Sequence, residues 1–312
     1  MQWLPRSIRH LPEEAENLLS VSVTEDGACH CLSATESPAE QGPLSYWRSD
    51  TTTTRTLTMP DGLRGPIVAP FDDGRVLVAN AISHWAAGQE PEKNATIFDA
   101  EDNPIRSFHA GSSIADIQID PDNHIWVSFL DEGIYGNHGW ANPGPDGLGA
   151  GGLVCLDEHG QLLWAHNTPS SERFIDDCYA LNVTRSGAFF FYYDAFDLGH
   201  VTADFAPAYY RTRLSGCSAV ATDGAHFVFS RQYDEDQAQC SVLTVRGGRL
   251  VRKRKATLVL PDGKAAERGK TRLKARGKWM HAFHEGAWIA YHMDELLGAA
   301  PRRYLGLGVR RL

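Results

Sequence analysis

Apolar and polar positions alternate in short runs along most of the chain, and the runs are punctuated by Gly, Asp and Asn. A period of two sends successive side chains to opposite faces of a strand, whereas a helix needs a period near 3.6. Residues 115–164 show the unit best. Ile117 and Ile119 lead into Pro121-Asp122-Asn123, and a second apolar run, 125–130, follows at once, which predicts a tight hairpin. A third strand at 153–156 and a fourth at 162–164 flank Asp157-Glu158-His159-Gly160, a turn whose glycine can take a positive φ.

Weaker copies recur along the chain. Strand, turn and second strand can be aligned at 20–32, 65–80, 179–193, 218–230 and 280–292. Four antiparallel strands repeated six times predict an all-β, six-bladed β-propeller forming one domain. The expected blades are 17–60, 61–111, 112–170, 171–216, 217–262 and 263–312. An open blade edge needs a partner, and either terminus can supply it: residues 1–10, or 303–309, which read as a strand.

Composition fits many strands joined by turns, with 42% hydrophobic residues, 29 Gly and 16 Pro. Arg6, Arg9 and Glu13 leave the start without an apolar signal-peptide core, and no apolar run is long enough to span a membrane. A cytoplasmic protein is expected. Six cysteines scattered over the strands read as small buried hydrophobes. The close pair Cys29 and Cys31 suits neither a disulfide nor an isolated zinc site.

Charge is unevenly spread. Residues 1–245 hold 13 Lys/Arg against 34 Asp/Glu, whereas residues 246–278 hold 13 against two. An acidic body therefore carries one basic sector, Arg246 to Lys278. Its hairpin turns at Gly247-Gly248, and Arg252-Lys253-Arg254-Lys255 charge both faces of a strand, as on a solvated outer edge. Residues 264–278 read as a solvated loop. A nucleic acid or other polyanion is a candidate partner here, although the sector has few aromatics for base stacking.

Acidic and imidazole residues recur where the second strand of each blade should end. Blade three offers Asp131 and Glu132, blade four Asp194 and Asp197, and blade five Asp234 and Glu235. Blade six offers Asp294 and Glu295, while blade two offers His84 and Trp85. His138, Trp140, Asp176 and Asp177 fall in loops expected on the same face. Together they predict an acidic crown at one channel mouth. Crowded carboxylates persist when solvated, paired or bound to a cation. Four outcomes stay open: turn-capping acids, docking of a basic protein, a Ca-type divalent ion held by some of Asp131, Glu132, Asp176, Asp234 and Asp294, or two-carboxylate acid/base catalysis.

The longest insertion, 138–152, is rich in Gly but precedes a strand, so it is no phosphate loop. It is expected to lie over the mouth, with a second insertion at 194–207 facing it. No G-x-S-x-G elbow is present, and His281 and His284 fall on opposite faces of a strand.

The units DIQIDPDNHIWVSF and GLVCLDEHGQLLW resemble the repeats of six-bladed propellers of the NHL, senescence-marker lactonase and virginiamycin-lyase kind. That resemblance implies a range from metal-dependent lactonases and a lyase to pure binding modules. The lactonase type implies a Glu, Asn and Asp set around one ion, and no local motif here matches that set. The leading expectation is a non-catalytic binding propeller, of an immunity or antitoxin kind or another interaction protein. The alternative is a metal-dependent hydrolase, lactonase or lyase at the same mouth.

Overall fold

The computed structural model describes residues 1–11, 17–34, 43–51, 53–60, 62–166, 173–230, 238–266 and 270–298. Two short strands, β1 (Gln2–Trp3) and β2 (Ser7–His10), open the chain. Blade one comprises β3 (Leu18–Val23), β4 (Cys29–Ala34), β5 (Leu44–Arg48) and β6 (Thr54–Leu57). Blade two comprises β7 (Pro66–Pro70), β8 (Val76–Asn80), β9 (Ala95–Phe98) and β10 (Pro104–Phe108). In blade three, β11 (Ile114–Ile119) and β12 (Ile125–Phe129) precede a short helix, α1 (Asp131–Tyr135), then β13 (Leu153–Leu156) and β14 (Leu162–Ala165).

Blade four is β15 (Ile175–Thr184), β16 (Gly187–Asp194), β17 (Leu198–Thr202) and β18 (Pro207–Tyr210). Blade five is β19 (Ala219–Thr222), β20 (His226–Ser230), β21 (Gln239–Arg246) and β22 (Arg249–Leu258). The chain then forms β23 (Thr271–Arg276), β24 (Trp279–His284), β25 (Ala287–His292) and α2 (Met293–Leu297). Six sheets result, and their first strands line a common centre.

The sixth sheet runs β2-β25-β24-β23. The N-terminal strand β2 is thus its outermost member, antiparallel to β25 from Ser7↔Ala290 to His10↔Ala287. Strand β1 adds in parallel to β22 of blade five, and Trp3 is buried there, donating from Nε1 to the His292 carbonyl at 3.2 Å. Residues 303–309 lie outside the described residues. The hairpin at 280–292, expected to open blade six, supplies its second and third strands instead. The first strand is β23, within the stretch expected to be a solvated loop.

Repeated turns have a shared cause. Asp99, Asp120 and Asp157 each open a turn, and one carboxylate oxygen accepts two backbone N–H groups downstream: those of Glu101 and Asn103, Asp122 and His124, and His159 and Gln161. These are Asx turns, which explains these three aspartates without invoking a ligand. The core fills the spaces between adjacent blades. Its last portion packs Val21, Val23, Cys29 and Cys31 of blade one against Phe283 and Trp288 of blade six.

Loops from second to third strands, and connections between blades, share one face, called upper here. First-to-second and third-to-fourth turns share the lower face.

Candidate functional site

The centre of the ring is filled by polar side chains from the innermost strands. Gln118 of β11 accepts at Oε1 from the backbone N–H of Val183 (2.8 Å) and from Arg276 Nη1 (3.0 Å). Its Nε2 donates to Asp116 Oδ2 (3.0 Å) and the Leu181 carbonyl (2.9 Å). Lys274 Nζ reaches Asp116 Oδ1 at 2.8 Å, and Arg276 also donates to the Ile119 carbonyl. Asn182 of β15 ties to Val220 and to both backbone groups of Gly277. Burial lowers the Arg276 pKa to about 10, and Glu25 and Asp116 offset part of that effect. Small cavities of about 70 Å³ and about 40 Å³ lie above and below the network. Strand β23 therefore points two cations inward, where sequence reasoning placed a solvated loop. The signal available was the polar Gln118 and Asn182 breaking the apolar pattern of β11 and β15.

With the centre filled, the upper face offers a shallow site on blades three and four. Helix α1 packs on the start of β15 and presents Asp131 and Glu132 in its exposed first turn. The Tyr135 hydroxyl donates to Asp176 Oδ1. Asp177 is half-buried, and its Oδ1 has no hydrogen-bond partner among the described residues. Burial, with help from the Asp131 charge, raises its pKa to about 6. Standing among these carboxylates are Leu130, Tyr135, Phe174 and Tyr193, each between 40% and 59% exposed. The Tyr135 and Phe174 rings lie 6.0 Å apart.

The insertion 138–152 reaches sideways onto blade two. His138 meets His84 at 5.0 Å between rings, and its carbonyl accepts from the Trp85 N–H. Trp140 stacks on His109 at 5.0 Å and donates to the Ser83 carbonyl. Gly139, at φ +92°, lets the backbone lie against the Trp85 carbonyl, where a Cβ would collide. His84 faces Glu92, which also binds Arg64. These four expected site residues, His84, Trp85, His138 and Trp140, thus help to hold the insertion in place.

The remaining sequence-derived candidates divide. Asp197 lies on the upper side of blade four, where Asp194 ends β16; the expected insertion 194–207 is strand β17 and its flanking turns. Asp294 and Glu295 follow the third strand of blade six, which puts them on the lower face, with Arg6 3.4 Å from Glu295. The cause is the one-strand misalignment of that blade. Asp234 and Glu235 lie outside the described residues. Among the described residues, no three His, Cys, Asp or Glu side chains gather as a metal site.

No family model and no curated protein matches the chain. Solved structures do. A streptogramin B lyase is 11% identical over 92% of this chain and 87% of that one, with a TM-score of 0.50. A catalytically inactive virginiamycin B lyase from Staphylococcus aureus with quinupristin is 10% identical over 91% and 98%, at 0.45. A chain of the mitotic checkpoint complex is 9% identical over 92% and 95%, at 0.47. The fold is a six-bladed β-propeller. At these identities the likeness concerns the fold alone. No described helix is long and apolar enough to cross a membrane.

Proposed function

We propose that this propeller is a non-catalytic binding module that docks a basic protein on the upper face of blades three and four. One observation carries the reading: exposed Leu130, Tyr135, Phe174 and Tyr193 are interleaved with Asp131, Glu132, Asp176 and Asp177. Aromatic anchors give contact area at low entropic cost and accept cations on their faces, and flanking carboxylates select and steer a basic partner. An immunity or antitoxin role belongs to this class. Six buried cysteines scattered over the strands fit a reducing compartment, so we place the protein in the cytoplasm.

Affinity capture from the native cell, compared between the native chain and a Tyr135→Ala/Phe174→Ala double variant, tests this. A basic protein should be retained by the native chain, weakened by added salt and lost by the variant, since anchor truncation costs about 2 kcal/mol or more each. Retention that ignores both substitutions and salt sinks the reading.

A second reading, a Ca-type hydrolase, lactonase or lyase, draws on the unpartnered Asp177 Oδ1 beside the charge of Asp131. A divalent ion would there relieve two crowded carboxylates. EDTA-treated protein should then melt higher with one of Ca²⁺, Mg²⁺ or Mn²⁺, and the gain should vanish in Asp131→Asn. Identical melting with all three ions dismisses it.

A further inference from the structure

Blade five's outer strand is longer than its neighbours and reaches the end of blade four. Arg211, just past β18, bridges to Arg249 of β22, and the Leu250 N–H donates to the Arg211 carbonyl at 2.9 Å. Between them opens a cleft of about 600 Å³. Arg211, Arg213, Arg249 and Arg252 line it, and all four are exposed. Buried Leu214, Leu243 and Leu250 form its floor.

None of these four guanidinium groups makes a hydrogen bond or ion pair among the described residues. By contrast, Arg48 pairs with Asp50, Arg55 with Asp102 and Arg75 with Glu158. Four like charges around one cavity raise its positive potential and attract an anion that can satisfy several of them at once. The volume matches sites for small organic molecules and exceeds what one inorganic ion fills. Arginine forks pair bidentately with phosphate, and the leucine floor suits an apolar body. Among the described residues no aromatic side chain lines the cleft, so it offers none of the stacking platform that single-stranded nucleic acid uses.

We infer that this cleft between blades four and five binds an organic phosphate carrying at least two phosphoryl charges. It lies apart from the acidic upper-face site, and the two proposals stand or fall separately. A soluble sugar bisphosphate and a phospholipid headgroup share this chemistry.

Calorimetric titration with fructose 1,6-bisphosphate, and sedimentation with phosphatidylcholine vesicles containing phosphatidic acid, separate the two sources. Binding in either arm should weaken at least about tenfold in Arg213→Glu/Arg252→Glu, which removes two charge-assisted contacts. A Lys253→Glu/Lys255→Glu control reverses the same charge on the same strand outside the cleft and should keep native affinity. Melting curves verify that both variants are folded, as expected for exposed positions. Equal loss in both variants would mean diffuse attraction to a basic strand and overturn the site. So would silence in both arms, or binding only to an oligonucleotide or a poly-glutamate peptide.

Discussion

Deleting residues 1–10 is expected to remove most of the stability of the fold. Strand β2 covers the outer edge of blade six over four residue pairs, and without it β25 exposes its backbone donors and acceptors. The same deletion removes Trp3, which is fully buried, lies 5.5 Å from the Tyr291 ring and caps the His292 carbonyl. Truncating one such tryptophan costs about 3–5 kcal/mol, a large share of the ~5–15 kcal/mol that holds a typical domain. Urea unfolding of the truncated chain, and of Trp3→Ala alone, measures both parts. A midpoint unmoved by the deletion would show that ring closure does not depend on this segment.

Stability should also fall steeply as pH drops below about 6.5. Of the four histidines buried among the described residues, three are held neutral most firmly. His30 pairs with the Tyr46 hydroxyl at 2.6 Å, His166 with Tyr209 at 2.9 Å, and His281 Nδ1 accepts from Trp288 Nε1 at 2.9 Å. Burial lowers their pKa values to about 3, about 4 and about 3. Below the ordinary imidazole value the unfolded chain takes up these protons and the folded one does not. Each histidine then contributes full stability above pH ~6.5 and loses about 1.4 kcal/mol per unit as pH falls toward its folded value. Together the three give a slope near 4 kcal/mol per pH unit. Asp177 acts oppositely, because its raised pKa makes the folded state bind a proton first, between about 6 and the ordinary 3.8. It is one half-buried group against three buried ones, so the net trend is loss. Denaturant midpoints between pH 8 and 5 would record it, and His281→Gln, which keeps an acceptor for Trp288, should flatten the slope by about a third. A flat profile would mean that these rings protonate in place.

The hairpins were legible in the sequence because their turns carry their own chemistry: Asp120 and Asp157 bond the backbone that follows them, whatever the rest of the protein does. Blade six was not, because β23 reads Thr-Arg-Leu-Lys-Ala-Arg, and its cations look solvated until Asp116 and Gln118 arrive from blade three to meet them. That single misreading carried Asp294 and Glu295 to the wrong face. Nor could periodicity foresee that Trp85 and Trp140 would be consumed in bracing one loop against another. The exposed aromatics beside α1 were equally hidden. An apolar residue on a strand end looks the same in sequence whether a neighbouring blade covers it or not.

The closing strand also orders the protein's birth. Trp3 and the carbonyl it caps are 289 positions apart, so β1 and β2, made before every blade, find their place only when the last blade has been made. Until then the nascent chain is an open stack of blades with a bare final edge, the kind of species that recruits chaperones or swaps strands with a second copy. Each molecule passes once through an uncapped form that the finished ring never shows, and the speed with which β1 and β2 return decides between a closed ring and a tangle.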